Sequence, residues 1–155
     1  MMPNINMRNQ FDATACIKNI LTRQCVVVGE SACVANGLTS AILEVIQLSS
    51  LDADIVHFRN FVCAWYYSPF ADRTDHTRPD SNSPMVLIPT AERSLWEYII
   101  LKDNFDEGVL VESIKDYLWQ HNDDESKLLE EARYWGCGEE EVKYWVNEAR
   151  NDYEV

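Results

Sequence analysis

Glycine is scarce in this chain, five residues in 155, scattered at positions 29, 37, 108, 136 and 138. No phosphate-cradling loop of the Walker or dinucleotide-binding kind can be written with them. Histidine is scarcer: His57, His76 and His121 stand apart, with no His-Glu-x-x-His or similar ligand spacing. The five cysteines, Cys16, Cys25, Cys33, Cys63 and Cys137, include no Cys-x-x-Cys, which leaves zinc knuckles and dithiol redox pairs unsupported. No run of about 18 apolar residues occurs, so no membrane-spanning helix is expected. The opening MMPNINMRNQFDATACIKN has no apolar stretch behind a basic tip, so no secretory leader is expected. With that cysteine pattern, the expectation is a reduced, cytoplasmic protein without structural disulfides.

Positive charge is also in short supply. Thirteen Lys/Arg face 26 Asp/Glu, a net charge of −13. Residues 1–90 carry six bases and eight acids, a net of −2; residues 91–155 carry seven and eighteen, a net of −11. Such a field repels phosphates, so direct binding of nucleic acid is excluded as an expectation; a basic protein surface is what it attracts.

What is present is the material of a core. The chain is 46% hydrophobic, and its length suits one domain. The expected fold is mainly α, a single-domain helical bundle with at most two or three short strands. The first ten or so residues are expected to be flexible. From Asp12 as N-cap, Ala13, Ile17, Ile20, Leu21 and Cys25 keep helical spacing, giving way to a short strand at Val26–Val28. NGLTSAILEVIQLSS (36–50) reads as a second helix through Leu38, Ile42, Val45 and Ile46 or Leu48. LDADIVHFRNFVCAWYYS (51–68) reads as a third and central one. Residues 68–84, rich in Pro and Asp, form a long loop. MVLIP (85–89) is a strand candidate, and Thr90 caps a helix carrying Leu95, Tyr98 and Ile99. EGVLVESIKDYLWQ (107–120) continues with Val111, Ile114 and Leu118. Two further helices, about 124–135 and 139–150, flank GCG.

The last two helices divide into stripes. Leu128, Leu129, Ala132 and Trp135 make one apolar face, and Val142, Trp145, Val146 and Ala149 another, so both tryptophans are expected in the core. Glu139, Glu140 and Glu141 meet the positive end of the last helix dipole. Tyr134, Tyr144 and Tyr153 fall off the stripes among carboxylates. Rigid rings beside acids suit a protein interface, so Glu130, Glu131, Tyr134, Glu140, Glu141, Tyr144 and Tyr153 are the candidate partner-binding residues. No catalytic, metal or cofactor residues are assigned. A Cys63–His76–Asp75 nucleophile set can be written, but spacing alone permits one in almost any chain. Glu92 with Glu97 and Asp103 with Glu107 are carboxylate pairs that solvated helix faces also explain.

Two family resemblances rest on short stretches. MVLIPTAERSLWEYIILKDNFDEGV followed by SKLLEEARYWGC resembles the second half of a BTB/POZ domain. Its helix of the form Leu-Leu-x-x-Ala-x-x-aromatic-Gly is matched by Leu128, Leu129, Ala132, Trp135 and Gly136. That resemblance implies a dimerising or ubiquitin-ligase adaptor module. LTRQC, with Leu21 and Cys25, is similar to the Leu-x-x-x-Cys core of the box that binds elongin C, with Gly29 where that box is apolar.

The expected function is non-enzymatic: an acidic inhibitor or antagonist, monomer or homodimer, that docks on a basic, nucleic-acid-holding surface of a partner protein. Anti-CRISPR proteins, toxin immunity proteins and viral suppressors of host defence share that style. A BTB/POZ-type oligomerisation module is the alternative, and a Cys-dependent enzyme a remote one.

Overall fold

Valines 26–28 run straight into Gly29, and the chain turns there from strand to helix. In the computed structural model, which describes residues 23–52 and 63–152, Cys25–Val26 form β1 and Gly29–Ala35 form α1. Gly29 has φ +62, and a Cβ on it would lie 2.5 Å from the Phe105 ring, so only glycine fits the junction. The helix expected from Asp12 lies outside the described residues up to position 22; Cys25 is in a strand, not a helix.

Two helix expectations are corrected. α1 ends at Ala35, the chain turns through Gly37 (φ +68), and Ile46–Ser50 form β2, buried along its length. Of the third expected helix, residues 53–62 lie outside the described residues and Cys63–Tyr67 form β3. Both stretches carry apolar residues that fit either period: Leu38, Ile42 and Val45 keep helical spacing while Ile46 and Leu48 alternate with Gln47 and Ser49, and Cys63–Tyr67 is a short unbroken run. Burial of β2 on both faces, with β-branched Val45 and Ile46 leading in, favours extended pairing. β2 and β3 run parallel, from Ile46 opposite Cys63 to Ser50 opposite Tyr67.

The long loop is interrupted. Thr77–Pro79 form β4, antiparallel to β5 (Val86–Pro89), and β5 pairs on its other side in parallel with β1. An antiparallel bridge from Val27 to Leu48 joins this three-stranded sheet to β2. With five short strands among the described residues, the architecture is α+β rather than a helical bundle.

The acidic half follows its sequence. α2 (Ala91–Ile100) starts where the Thr90 hydroxyl accepts from the Arg93 amide at 3.2 Å. A 3-10 turn (Lys102–Asn104) leads to α3 (Glu107–Gln120), capped by the Asp106 carboxylate on the Gly108 and Val109 amides. α4 (Ser126–Trp135) and α5 (Glu139–Asn151) flank Gly136 and Gly138, both left-handed. A Cβ on Gly138 would sit 2.8 Å from Ile100 and 3.0 Å from the Trp96 ring nitrogen.

The four helices α2–α5 close on one core containing Leu95, Trp96, Tyr98, Ile114, Tyr117, Leu128 and Trp145; a smaller core of Cys25, Val27, Ile46, Leu48, Cys63 and Val86 lies under the strands. Trp145 is buried in the larger core, as its stripe predicts, whereas Trp135 is only half-buried against it.

Cys25, Cys33 and Cys63 are buried and Cys137 exposed, all as free thiols. Burial pushes the Cys33 thiol up to about 12. Alkylation of the folded protein at mildly alkaline pH is expected to reach Cys137 first of these four, and Cys33 only on unfolding. Peptide mass mapping checks this; a Cys33 adduct preceding one at Cys137 would contradict the burial pattern.

Candidate functional site

Glu140, Glu141 and Tyr144 are exposed on α5, off the buried stripe of Val142, Trp145, Val146 and Ala149. Tyr144 is 55% exposed. The three line an open groove of about 640 Å³ with Trp145. Lys102, Asp103 and Phe105 from the turn before α3, and Glu107 at its start, complete the lining. Asp103 and Glu107, one of the carboxylate pairs legible in the sequence, are thereby brought against the α5 acids.

The electrostatics are one-sided. Four carboxylates line the groove against one ammonium, Lys102, which leans on Asp103 at 3.4 Å. Glu139, just outside it, is held below the usual carboxylate range by its hydrogen bonds to Arg133, and Lys143 reaches Glu140 at 3.3 Å. Among the described residues no cation pairs with Glu107 or Glu141. Glu148 pushes the Tyr144 phenol above its ordinary value, first through hydrogen bonding and then through its charge. The helix N-terminus offsets part of the repulsion among the α5 acids. Chemically the groove is acidic with an aromatic wall, a lining that attracts cations.

The other candidate residues part from this set. Glu130 is exposed on α4. Glu131 is not a surface acid: at 7% exposure its carboxylate accepts from the Trp135 indole at 2.8 Å and meets His76 Nδ1 at 2.7 Å. Tyr134 is 52% exposed, but its hydroxyl donates to Asp75. Arg73 and then Tyr134 hold the Asp75 carboxyl well below the usual range. These residues clamp the loop after β3 onto α4. Tyr153 lies outside the described residues.

The written nucleophile set does not form a relay: His76 faces Glu131, Asp75 binds Arg73 and Tyr134, and Cys63 is buried in the strand-side core. Glu92 accepts from Tyr117 at 2.7 Å, whereas Glu97 faces Arg93 and Ser68, so that carboxylate pair is split as well. Of the elongin-box match, Leu21 lies outside the described residues. Among the described residues no three His, Cys, Asp or Glu side chains converge as a metal site, and no helix is long and apolar enough to cross a membrane.

Sequence reasoning missed Lys102, Phe105 and the outward Trp119. Trp119 lies off the α3 stripe of Leu110, Ile114, Tyr117 and Leu118, and that offset was the available signal. No protein-family model matches the chain, and no curated protein sequence matches it.

Proposed function

We propose that this protein is a binding module whose α5 groove grips a basic surface of a partner protein. The observation that carries the reading is the exposed Tyr144 set among Asp103, Glu107, Glu140 and Glu141, with Lys102 in the groove and Lys143 beside Glu140 leaving Glu107 and Glu141 without a cation among the described residues. Lysine and arginine heads satisfy such carboxylates, and their stems and the guanidinium plane pack on a tyrosine ring. A net charge of −11 over residues 91–155 steers a basic partner toward it. The role that fits is an antagonist, occupying a surface built to hold nucleic acid.

Affinity capture from host lysate, with mass spectrometry of what is retained, tests this. Tyr144→Ala should leave melting nearly unchanged because its ring is exposed, and Glu140→Lys with Glu141→Lys should lower it modestly, because it gives up favourable charge at the helix N-terminus and the Lys143 pair, without unfolding the chain. With folding of each variant checked by circular dichroism, both should weaken capture of basic partners, and the reversal should flatten its salt dependence, as the loss of steering charges does. Capture of the same proteins by the charge-reversed variant, with unchanged salt dependence, would reduce the acids to a solvated helix face.

A further inference from the structure

Trp119 is 86% exposed, the most exposed of the large hydrophobic side chains among the described residues. It projects from the end of α3 beside a second open groove of about 730 Å³, whose other lining includes Leu118, Asn122 and Ala149. The bases there are already satisfied: Arg150 binds Asp123 and Glu125 at 3.0 and 2.5 Å, and Lys115 binds Asp152 at 2.7 Å. This groove therefore offers apolar surface rather than free charge.

The two grooves belong to one face. α3 and α5 lie side by side in the same direction: Glu107 shares the first groove with Tyr144, Lys115 reaches Asp152, and Leu118 shares the second groove with Ala149. From Glu107 to Trp119 α3 rises about 18 Å, the length of a helix of about 12 residues. One end of the face is acidic with a tyrosine; the other presents an indole.

We infer that the α3–α5 face receives a single helical segment of a protein partner, basic where it crosses Tyr144 and apolar where it covers Trp119. The basic end rests on the function proposed above; the apolar end and the continuity between the two are new. A helix is the occupant that fits, because α3 and α5 satisfy their own backbone groups and offer no strand edge for main-chain pairing. Charge selects its sign: four groove carboxylates against one ammonium repel a second acidic copy of this chain, and they repel anionic lipid headgroups equally.

The test uses three labelled synthetic helices of about 18 residues. One carries lysines at one end and leucines at the other, the second has the leucines changed to alanine, and the third has the lysines changed to glutamine. Fluorescence anisotropy with the full chain should rank the first at least about tenfold tighter than the second, with the third weakest, as expected when a buried tryptophan acts as an anchor. Trp119→Ala should remove that advantage and leave the alanine peptide's affinity unchanged; Glu140→Lys with Glu141→Lys should weaken both lysine-bearing peptides. If Trp119→Ala leaves the tight peptide tight, or the leucines add nothing, the continuous face is wrong while the acidic groove stands. If neither lysine peptide binds, the groove reading fails and this inference with it. A wild-type dimer in sedimentation that Trp119→Ala dissolves, or Trp119-dependent binding to anionic vesicles, would give the face to another occupant and overturn the inference.

Discussion

Arg93→Ala is expected to destabilise the protein by about 3–5 kcal/mol, the cost of stranding one partner of a buried ion pair. Arg93 is fully buried, and its Nε meets Glu97 Oε1 at 3.3 Å one helical turn along α2. Its other donors hold the loop after β3: Nη1 donates to the carbonyls of Arg73 and Asp75 at 2.6 and 2.7 Å, and Nη2 to that of Phe70 at 3.2 Å. The guanidinium also lies 4.8 Å over the Trp135 ring. Burial pushes the Glu97 carboxyl up, while Arg93 and the Ser68 hydroxyl pull it down and Glu131 adds to the rise. The net shift is upward already with Arg93 in place, and without Arg93 it is larger. A carboxyl raised in the folded state favours folding while protonated, and that contribution fades as pH climbs above the ordinary glutamate range. The variant's deficit should accordingly be smaller in mildly acidic than in mildly alkaline buffer, which chemical denaturation at several pH values reads directly.

A double replacement separates the two jobs of this arginine. Converting a buried ion pair to apolar residues of similar volume is often neutral. If Arg93 mattered only to Glu97, Arg93→Leu with Glu97→Leu would restore wild-type stability. Three loop carbonyls would still lose their donor, at about 1–3 kcal/mol each where buried. The double variant should therefore remain well below wild type, and protease should cut it first within the 69–76 segment. Full recovery with an intact loop would show that the carbonyl contacts contribute little.

The reach of sequence reasoning follows from which contacts are local. α2 to α5 were legible because each carries one apolar stripe, and punctuation marks several of their ends: Thr90 as a cap, Gly136 and Gly138 as breaks. Residues 36–50 and 63–67 misled because their apolar residues fit both periods: Leu38, Ile42 and Val45 keep helical spacing while Ile46 and Leu48 alternate with Gln47 and Ser49, and Cys63–Tyr67 is a short unbroken run. The parallel pairing that decides between them lies in the tertiary structure. Glu131 looked like any surface acid beside Glu130; the partner that draws it inward, His76, is 55 residues away. Glu140, Glu141 and Tyr144 could be read as one exposed set from their place on α5. The facing wall could not, because it depends on where the 3-10 turn sets Asp103 and Phe105.

Trp96→Ala should cost a further large amount, about 3–5 kcal/mol for a fully buried aromatic, and lower Tm by roughly 10 °C or more. Trp96 is fully buried at the meeting of α2, the loop after β3 and the α4–α5 turn. Its ring stacks on Trp135 with centroids 5.0 Å apart and planes within 9°, and Phe70 meets it edge-on at 4.9 Å. Its indole nitrogen donates to the Cys137 carbonyl at 2.9 Å, in the turn where Gly138 leaves no room for a side chain. The carbonyl contact fixes where α5 begins and hence where Glu140, Glu141 and Tyr144 point. Trp96→Phe keeps most of the ring and removes that donor, so it isolates the second role. Its stability loss should be smaller than that of Trp96→Ala, because most of the ring volume stays and the freed Cys137 carbonyl belongs to an exposed residue that water can reach. Amide exchange should quicken first at residues 137–142 and not across α3. If Trp96→Phe instead loosened α3 and the α4–α5 turn alike, the indole would serve the core only as volume, and the position of the groove would rest on the two glycines.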